Sequence, residues 1–293
     1  MSNTLAYPMK QFQLPNGMRF WNAPESGKET KFIYREIFEE HCYEKHGVTI
    51  TDGDVVFDVG ANIGMFARSL MDRFHDLQLY CFEPVPNTRS CLERNIAECP
   101  DRSGHLVTVL DVAVGAKEYQ TTIDFFPSAP GNSTLYPEEK KQEFNDIADE
   151  LRIADLWKAK KGAALLALLL YPFRRWLFRR ISKKFLGEAK PIPCQVRTIS
   201  NVIRERGVQR IDLLKVDVEG AELDALAGIE DEHWPLIRQL AVEVAPANKH
   251  QIAMLSNRLQ SLAFSRIVVE NMLGGNDDLS LPGPCTVYAV REA

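Results

Sequence analysis

The stretch Val55–Phe66, "VVFDVGANIGMF", decides how this chain is to be folded. A short apolar strand over 54–59 carries Asp58 near its end. Gly60 and Gly64 then bound a tight turn, and a helix follows over about 63–74. Gly60 can take dihedrals that other residues resist. Gly64 would let the helix sit close to the sheet. Strand, glycine turn and helix in that order is where a doubly wound sheet holds a nucleotide-like ligand. Taken alone, G-x-x-x-G is also a common helix-packing pattern, so the neighbouring segments must arbitrate.

Downstream, "LQLYCFEP" predicts a strand over 77–83, followed by a helix over 87–98 and a third strand over 106–114. The alternation in "YQTTIDFFP" predicts a further strand. This β-α-β-α-β order argues for an α/β fold with a parallel sheet and helices on both faces. Regularity lapses from Ser128 to Pro193. The pattern then resumes with a short strand and helix in "CQVRTISNVIRERG", a strand over 211–216, its loop over 217–220 and a helix in "AELDALAGI". A strand over 237–244, a helix in "HQIAMLSNRLQSL" and strands in "SRIVVE" and "CTVYAVRE" complete the chain, the last two joined by the loop 271–284. Upstream, "FQLPNGMRFW" predicts a hairpin. Phe32, Ile33, Ile37, Phe38 and Cys42 recur at helical spacing, which predicts an amphipathic helix over 29–46. The expected organisation is an N-terminal hairpin and helix (1–47), a core (48–127 and 191–293) and an inserted helical lid or docking segment (128–190).

Which ligand fits the glycine turn follows from its chemistry. The nicotinamide fingerprint is G-x-G-x-x-G, but Asn62 stands where its middle glycine would be. Asp58 is also awkward beside a pyrophosphate. It suits a ligand with a positive amino group, such as S-adenosylmethionine. Glu83 closes the next strand, where a carboxylate can accept both ribose hydroxyls. Asp111, near the end of the third strand, could receive an adenine amino group.

"FDVGANIG", "FEPVPNT" and "IDLLKVDVEGAELDALAG" together resemble the FkbM-type S-adenosylmethionine-dependent methyltransferases. The resemblance covers roughly 48–115 and 192–292 and leaves out most of 128–190. It implies a class I methyltransferase fold, a Rossmann-like seven-stranded sheet with six parallel strands and one antiparallel, here with an inserted helical cap. It implies that Asp58, Gly60 and Asn62 surround the methionine part of the cofactor, that Glu83 binds the ribose and that Pro84 and Val85 flank the adenine. It also implies methyl transfer to a hydroxyl or carboxylate oxygen of a small molecule, a sugar or a natural-product intermediate, free or on a carrier protein. A histidine that family members often carry in an E-x-H pattern is replaced here by Ala245.

Methyl transfer to a hydroxyl benefits from a base within about 3 Å. The loop "KVDVEGAE" lies at the carboxyl end of a central strand, with Lys215 and Asp217 on one side of it. Asp217, Glu219, Glu243 and His250 are therefore the candidate catalytic groups. Asp217, Glu219 and Glu243 are also hard oxygen donors of the kind that suit magnesium. No further ligand set stands out, so a metal-free site is the expectation. A nicotinamide oxidoreductase and a non-catalytic binding protein on the same fold are the rival readings. Asn62 and "KVDVEG" disfavour the first, and the intact Asp58, Gly60, Asn62 and Glu83 the second.

Charge and composition narrow the partners. The chain carries a net charge of -5, which gives no whole-chain case for nucleic-acid binding. Leu156–Lys190 is an exception, with ten basic residues against one acidic. Its apolar run, Gly162–Phe173, has twelve residues and holds Pro172, too few to span a bilayer. Peripheral contact with a membrane is still compatible with a basic amphipathic helix. The preferred expectation is a cap over the acceptor site whose basic side receives an acidic acyl or peptidyl carrier protein or an anionic substrate. The six cysteines form no CxxC pair and the first residues lack a signal-peptide apolar region, so reduced thiols and a cytoplasmic location are expected.

Overall fold

A computed structural model describes residues 8–100, 102, 104–138, 140, 188–271, 275–276 and 283–291. Most of the 128–190 insert, with the basic helix expected in it, lies outside the described residues. Of the loop 271–284, only 271, 275–276 and 283–284 are described.

The N-terminal hairpin pairs β1 (Lys10–Gln13) with β2 (Arg19–Asn22). The Pro-Asn-Gly turn between them is closed by Leu14 N–H on Met18 O at 2.8 Å. Helix α1 (Gly27–Tyr34) runs into a π-helical turn at Arg35–Glu39. The expected helix over 29–46 therefore ends early, and Phe32 is 55% exposed instead of buried. The buried positions are Glu29, Thr30, Tyr34 and Ile37. The wider turn shifts the side-chain phase, which a uniform helical period cannot anticipate.

The core follows as β3 (Val55–Val59), α2 (Met65–Met71), β4 (Gln78–Phe82), α3 (Pro86–Ala97) and β5 (Leu106–Leu110). The expected third strand, 106–114, is broken at Asp111. Its second half, β6 (Val112–Val114), leaves the main sheet and pairs with β8 (Lys190–Arg197), which also takes β7 (Tyr119–Phe125) on its other edge. The strand in "CQVRTIS" thus belongs to a separate three-stranded sheet. Then come α4 (Ile199–Arg206), β9 (Leu213–Val216), α5 (Glu222–Ala227), β10 (Gln239–Val244), α6 (Ile252–Ser261), β11 (Arg266–Asn271), the two-residue β12 (Gly275–Asn276) and β13 (Cys285–Val290).

The main sheet has the order β12-β11-β13-β10-β9-β3-β4-β5. Setting aside the short β12, it is a seven-stranded class I methyltransferase sheet in which only β13 runs antiparallel. Strand β3 is buried at every position, as a parallel strand covered on both faces must be, and this is why it reads as one apolar run. One face of the sheet packs a cluster around Phe57, Leu214, Leu240 and Trp234. The other packs Leu70, Leu79, Leu92 and Tyr288. The connections leave β3 toward β4 on one side and arrive at β9 on the other, with Val59 level with both Phe82 and Val216. That reversal opens a crevice at the carboxyl ends of these strands, where ligands of such sheets bind.

Candidate active site

The loop after β3 is held by backbone bonds from Gly60 and Ala61 N–H to Phe82 O, at 3.1 and 3.0 Å. Gly60 has φ +80°, and a Cβ there would stand 1.7 Å from Asp217 O. Glycine is thus required twice, for the turn and for the close approach of the β9 loop. Gly64 also has a positive φ, but its close neighbour is Leu92 Cγ of α3, 3.2 Å from an added Cβ. Its role is to bring α2 against α3, not against the sheet as the sequence suggested. Asn62 and Glu219 take left-handed φ values of 50° and 52° without being glycine, strain of the sort that collects at functional sites.

A groove runs beneath this loop, lined by Gly60, Asn62, Glu83, Pro84, Val85 and Asp217 among others. Val85 N–H donates to Glu83 Oε1 at 2.9 Å. Burial pushes the Glu83 carboxyl up to about 8, against the pull of the Val85 and Asn62 N–H groups. Such a carboxyl calls for further donors. The adjoining wall is apolar, from Val85, Val112, Ile123 and Leu135. A buried acceptor beside an apolar slot fits a ribose diol followed by a flat base, and Asn62 Oδ1 is buried with no hydrogen-bond partner. These residues fit S-adenosylmethionine.

Two expected cofactor contacts are placed elsewhere. Asp58 is 1% exposed and lines none of the described cavities. It sits level with Lys215 on the neighbouring strand, and the Lys215 ammonium lies 3.0 Å from its Oδ1. Its charge thus faces a buried ammonium, though neither carboxylate oxygen accepts a hydrogen bond of good geometry. Asp111 is exposed at the break between β5 and β6 and does not line the groove. Val112, Ala113 and Val114 line it instead, because the chain changes sheets at Asp111.

A second chamber of about 280 Å³ adjoins the groove and shares Gly60, Asn62, Gly131, Asp217 and Glu219 with it. Asp217 stands at the junction. The Tyr43 hydroxyl donates to its Oδ2 at 2.8 Å and lies 3.5 Å from Glu243 Oε2. Lys215 Nζ is 3.6 Å from the same Asp217 oxygen and 5.1 Å from the Tyr43 ring centre. Burial, then the charges of Asp217 and Glu219, push the Glu243 carboxyl well above the usual carboxylate range. Glu219 is held by Lys140 Nζ at 2.5 Å, and its carbonyl accepts from the Thr134 hydroxyl at 2.7 Å. The described start of the insert therefore forms part of the wall.

Asp217, Glu219 and Glu243 converge on the chamber as expected. Among the described residues, however, the group of three or more whose ligand atoms lie within 4.8 Å of one another is Glu230, Glu232 and His233, on the surface side of the fold. Asp217, Glu219 and Glu243 do not close into such a three-donor group. His250 is exposed, with Nδ1 3.0 Å from Ala247 O, and lines none of the described cavities. It sits on a 3-10 turn beyond β10 that carries it outward. Sequence reasoning missed Glu29 and Glu36, which line the chamber from the N-terminal helix and its π turn. The available signal was their recurrence with Ile33 and Ile37 on one helical stripe, two acids on an otherwise apolar face.

Residues 58–262 match the family described as Methyltransferase FkbM domain. The chain is similar to the 31-O-demethyl-FK506 methyltransferase FkbM of Streptomyces tacrolimicus, with 34% identity over 80% of this chain and 82% of that one. It is similar to Methyltransferase sdnD of Sordaria araneosa, with 33% identity over 73% and 74% of the two chains. It also matches the AMB antimetabolite synthetase AmbE of Pseudomonas aeruginosa at 32% identity, over 80% of this chain and 10% of that one. With the sheet order, the groove beneath the β3 loop and these relatives in agreement, the chain belongs to the FkbM methyltransferase family.

Proposed function

We propose that this chain is an O-methyltransferase that acts on a hydroxyl of a small molecule or of a carrier-tethered natural-product intermediate. The observation that carries this reading is Asp217, an acidic side chain at the shared edge of the cofactor groove and the acceptor chamber. Bound S-adenosylmethionine supplies an electrophilic methyl group on a sulfonium. Glu83 would hold its ribose, Val85 and Val112 its adenine, and Gly60 and Asn62 the turn against its methionine part. The protein's part is to align the acceptor oxygen and take its proton. Asp217 is the base in this reading, because it stands at both cavities and its Oδ2 is oriented by the Tyr43 hydroxyl at 2.8 Å and Lys215 Nζ at 3.6 Å. Glu243, held protonated by its surroundings, can donate to the acceptor oxygen and fix its direction.

The acidic chamber favours a hydroxyl over a carboxylate acceptor, since a carboxylate would meet Asp217 at close quarters. The name of the FkbM relative specifies an oxygen as its methylation site. The match to a tenth of a synthetase supports the carrier-tethered form. The test is transfer from labelled S-adenosylmethionine to hydroxyl and carboxylate acceptors, each free and carrier-tethered. Transfer to a hydroxyl that is lost in Glu83→Ala and Asp217→Asn is expected. Carboxylate methylation in place of hydroxyl methylation would overturn the reading.

A further inference from the structure

The acceptor chamber holds more acidic groups than the cofactor accounts for. Asp217 and Glu219 face both the groove and the chamber, while Glu29, Glu36 and Glu243 face the chamber and not the groove. Among the described residues, Lys215 is the basic side chain that lines it, and it is engaged by Asp58 at 3.0 Å; Lys140 reaches Glu219 from the adjoining cavity. Glu29 is 9% exposed. Its Oε1 accepts from Gly131 N–H at 2.7 Å, while Oε2 is buried with the Asn22 and Ser26 side chains near it and no hydrogen bond of good geometry. Leaving a buried carboxylate oxygen without a donor costs about 1–3 kcal/mol or more, so an arriving donor is favoured.

The shape of this charge selects the ligand. These carboxylates do not close into a group of three ligand atoms around one point. They are spread along a wall whose other members are Phe32, Ile33, Ile37 and Phe66. A spread of carboxylates over an apolar surface suits an organic ammonium on a hydrocarbon body. We propose that the acceptor carries a primary or secondary ammonium group, which the Glu29–Glu36 side of the chamber binds while the acceptor hydroxyl is presented at Asp217. This rests on the reading of the chamber as the acceptor site. Burial raises Glu29 to about 7 and Glu36 to about 8, so ammonium binding near neutral pH should expel protons from the chamber.

The test uses the full chain saturated with S-adenosylhomocysteine and two probes, 6-aminohexan-1-ol and its N-acetyl twin, titrated calorimetrically. The amine should bind at least about tenfold more tightly, the scale of one charge-assisted hydrogen bond. Its binding heat should depend on the buffer's ionisation enthalpy, with protons released. In Glu29→Gln/Glu36→Gln the preference should fall below about twofold while S-adenosylhomocysteine binds unchanged. Should the double variant not fold, Glu36→Gln alone, on the more exposed turn, must cut the preference at least about threefold. Equal binding of the two probes, or a preference that survives these substitutions, would overturn the inference. Methyl transfer, read separately, distinguishes the two ideas. Equal transfer to both probes keeps O-methylation and removes the ammonium requirement. Amine-selective binding with the methyl found on no oxygen keeps the ammonium site and removes O-methylation.

Discussion

Lys215 and Asp58 are level on adjacent parallel strands, and their charged ends meet at 3.0 Å while the same ammonium donates to Gly60 O at 2.8 Å. One buried cation thus ties the cofactor turn to the β9 loop. Burial works against the charged lysine, but Asp58 and then Asp217 outweigh it and raise its pKa. Removing one partner from a buried pair leaves an uncompensated charge. Lys215→Met should therefore cost about 3–5 kcal/mol in urea unfolding. The double variant Asp58→Asn/Lys215→Met should be less destabilised than Lys215→Met alone. Additive losses would show that the pair contributes nothing as a pair.

The two glycines of the turn should fail differently. Gly60→Ala places a methyl on Asp217 O and holds a side chain at φ +80°. The dihedral alone costs about 1–3 kcal/mol, and the displaced loop should weaken S-adenosylhomocysteine binding by more than tenfold, or about 1.4 kcal/mol. Gly64→Ala meets only Leu92, at 3.2 Å from Cγ. It should lower stability by about 1–3 kcal/mol through its φ and leave cofactor affinity within about threefold. Calorimetry paired with denaturation separates the two.

Stability should fall as the pH rises through neutrality. Burial holds the folded Glu83 near 8, Glu29 near 7 and Glu36 near 8, against 4.5 for the ordinary glutamate. The unfolded chain loses these protons first. Their stabilising contribution is therefore fully present below about pH 4.5 and is lost as pH climbs through about 7 to 8. A tenfold gain in proton affinity on folding is worth about 1.4 kcal/mol, so Glu83 alone should account for a change of a few kcal/mol. Glu83→Gln should flatten the slope in unfolding experiments between about pH 5 and about pH 9. Ribose hydroxyls favour the ionised carboxylate, so S-adenosylhomocysteine affinity should rise with pH up to about 8 and level off.

Tyr43 and Glu243 make separable contributions to turnover. Tyr43→Phe removes the donor to Asp217 Oδ2. A hydrogen bond to a charged group contributes about 1.5–3 kcal/mol, so kcat should drop about 10–100-fold with cofactor affinity unchanged. Asp217→Asn, the loss of the base, should cost about 100–10,000-fold. Glu243→Gln keeps a hydrogen-bond donor and should be far milder than Glu243→Ala. Equal losses in Glu243→Gln and Glu243→Ala would assign Glu243 the base role instead.

The parts of this molecule that local pattern specifies were legible before the structure. The apolar run at Val55–Val59, broken only by Asp58, announced a central strand, and Pro-Asn-Gly announced the hairpin. The order of blocks around Gly60, Glu83 and Asp217 placed three strand ends at one crevice. What escaped depended on contacts between distant segments. Asp58 read as a ligand for the cofactor because its partner, Lys215, is brought level only by strand register. Asp111 read as a strand residue because nothing local shows that the chain changes sheets there. Glu29 and Glu36 shared a helical stripe with Ile33 and Ile37, but nothing local shows that this stripe faces the chamber.

The small sheet has a consequence for how this fold can diversify. Phe125, at the end of β7, is directly paired with Lys190, at the start of β8. Yet the stretch after Phe125 turns back into the fold at once: Thr134 bridges Asp124, and Pro130, Gly131, Ser133 and Leu135 line the cofactor groove. Gly131 and Asn132 also line the chamber. A segment exchanged between these two strands would therefore redraw both cavities, so acceptor choice and cofactor grip are bound to change together.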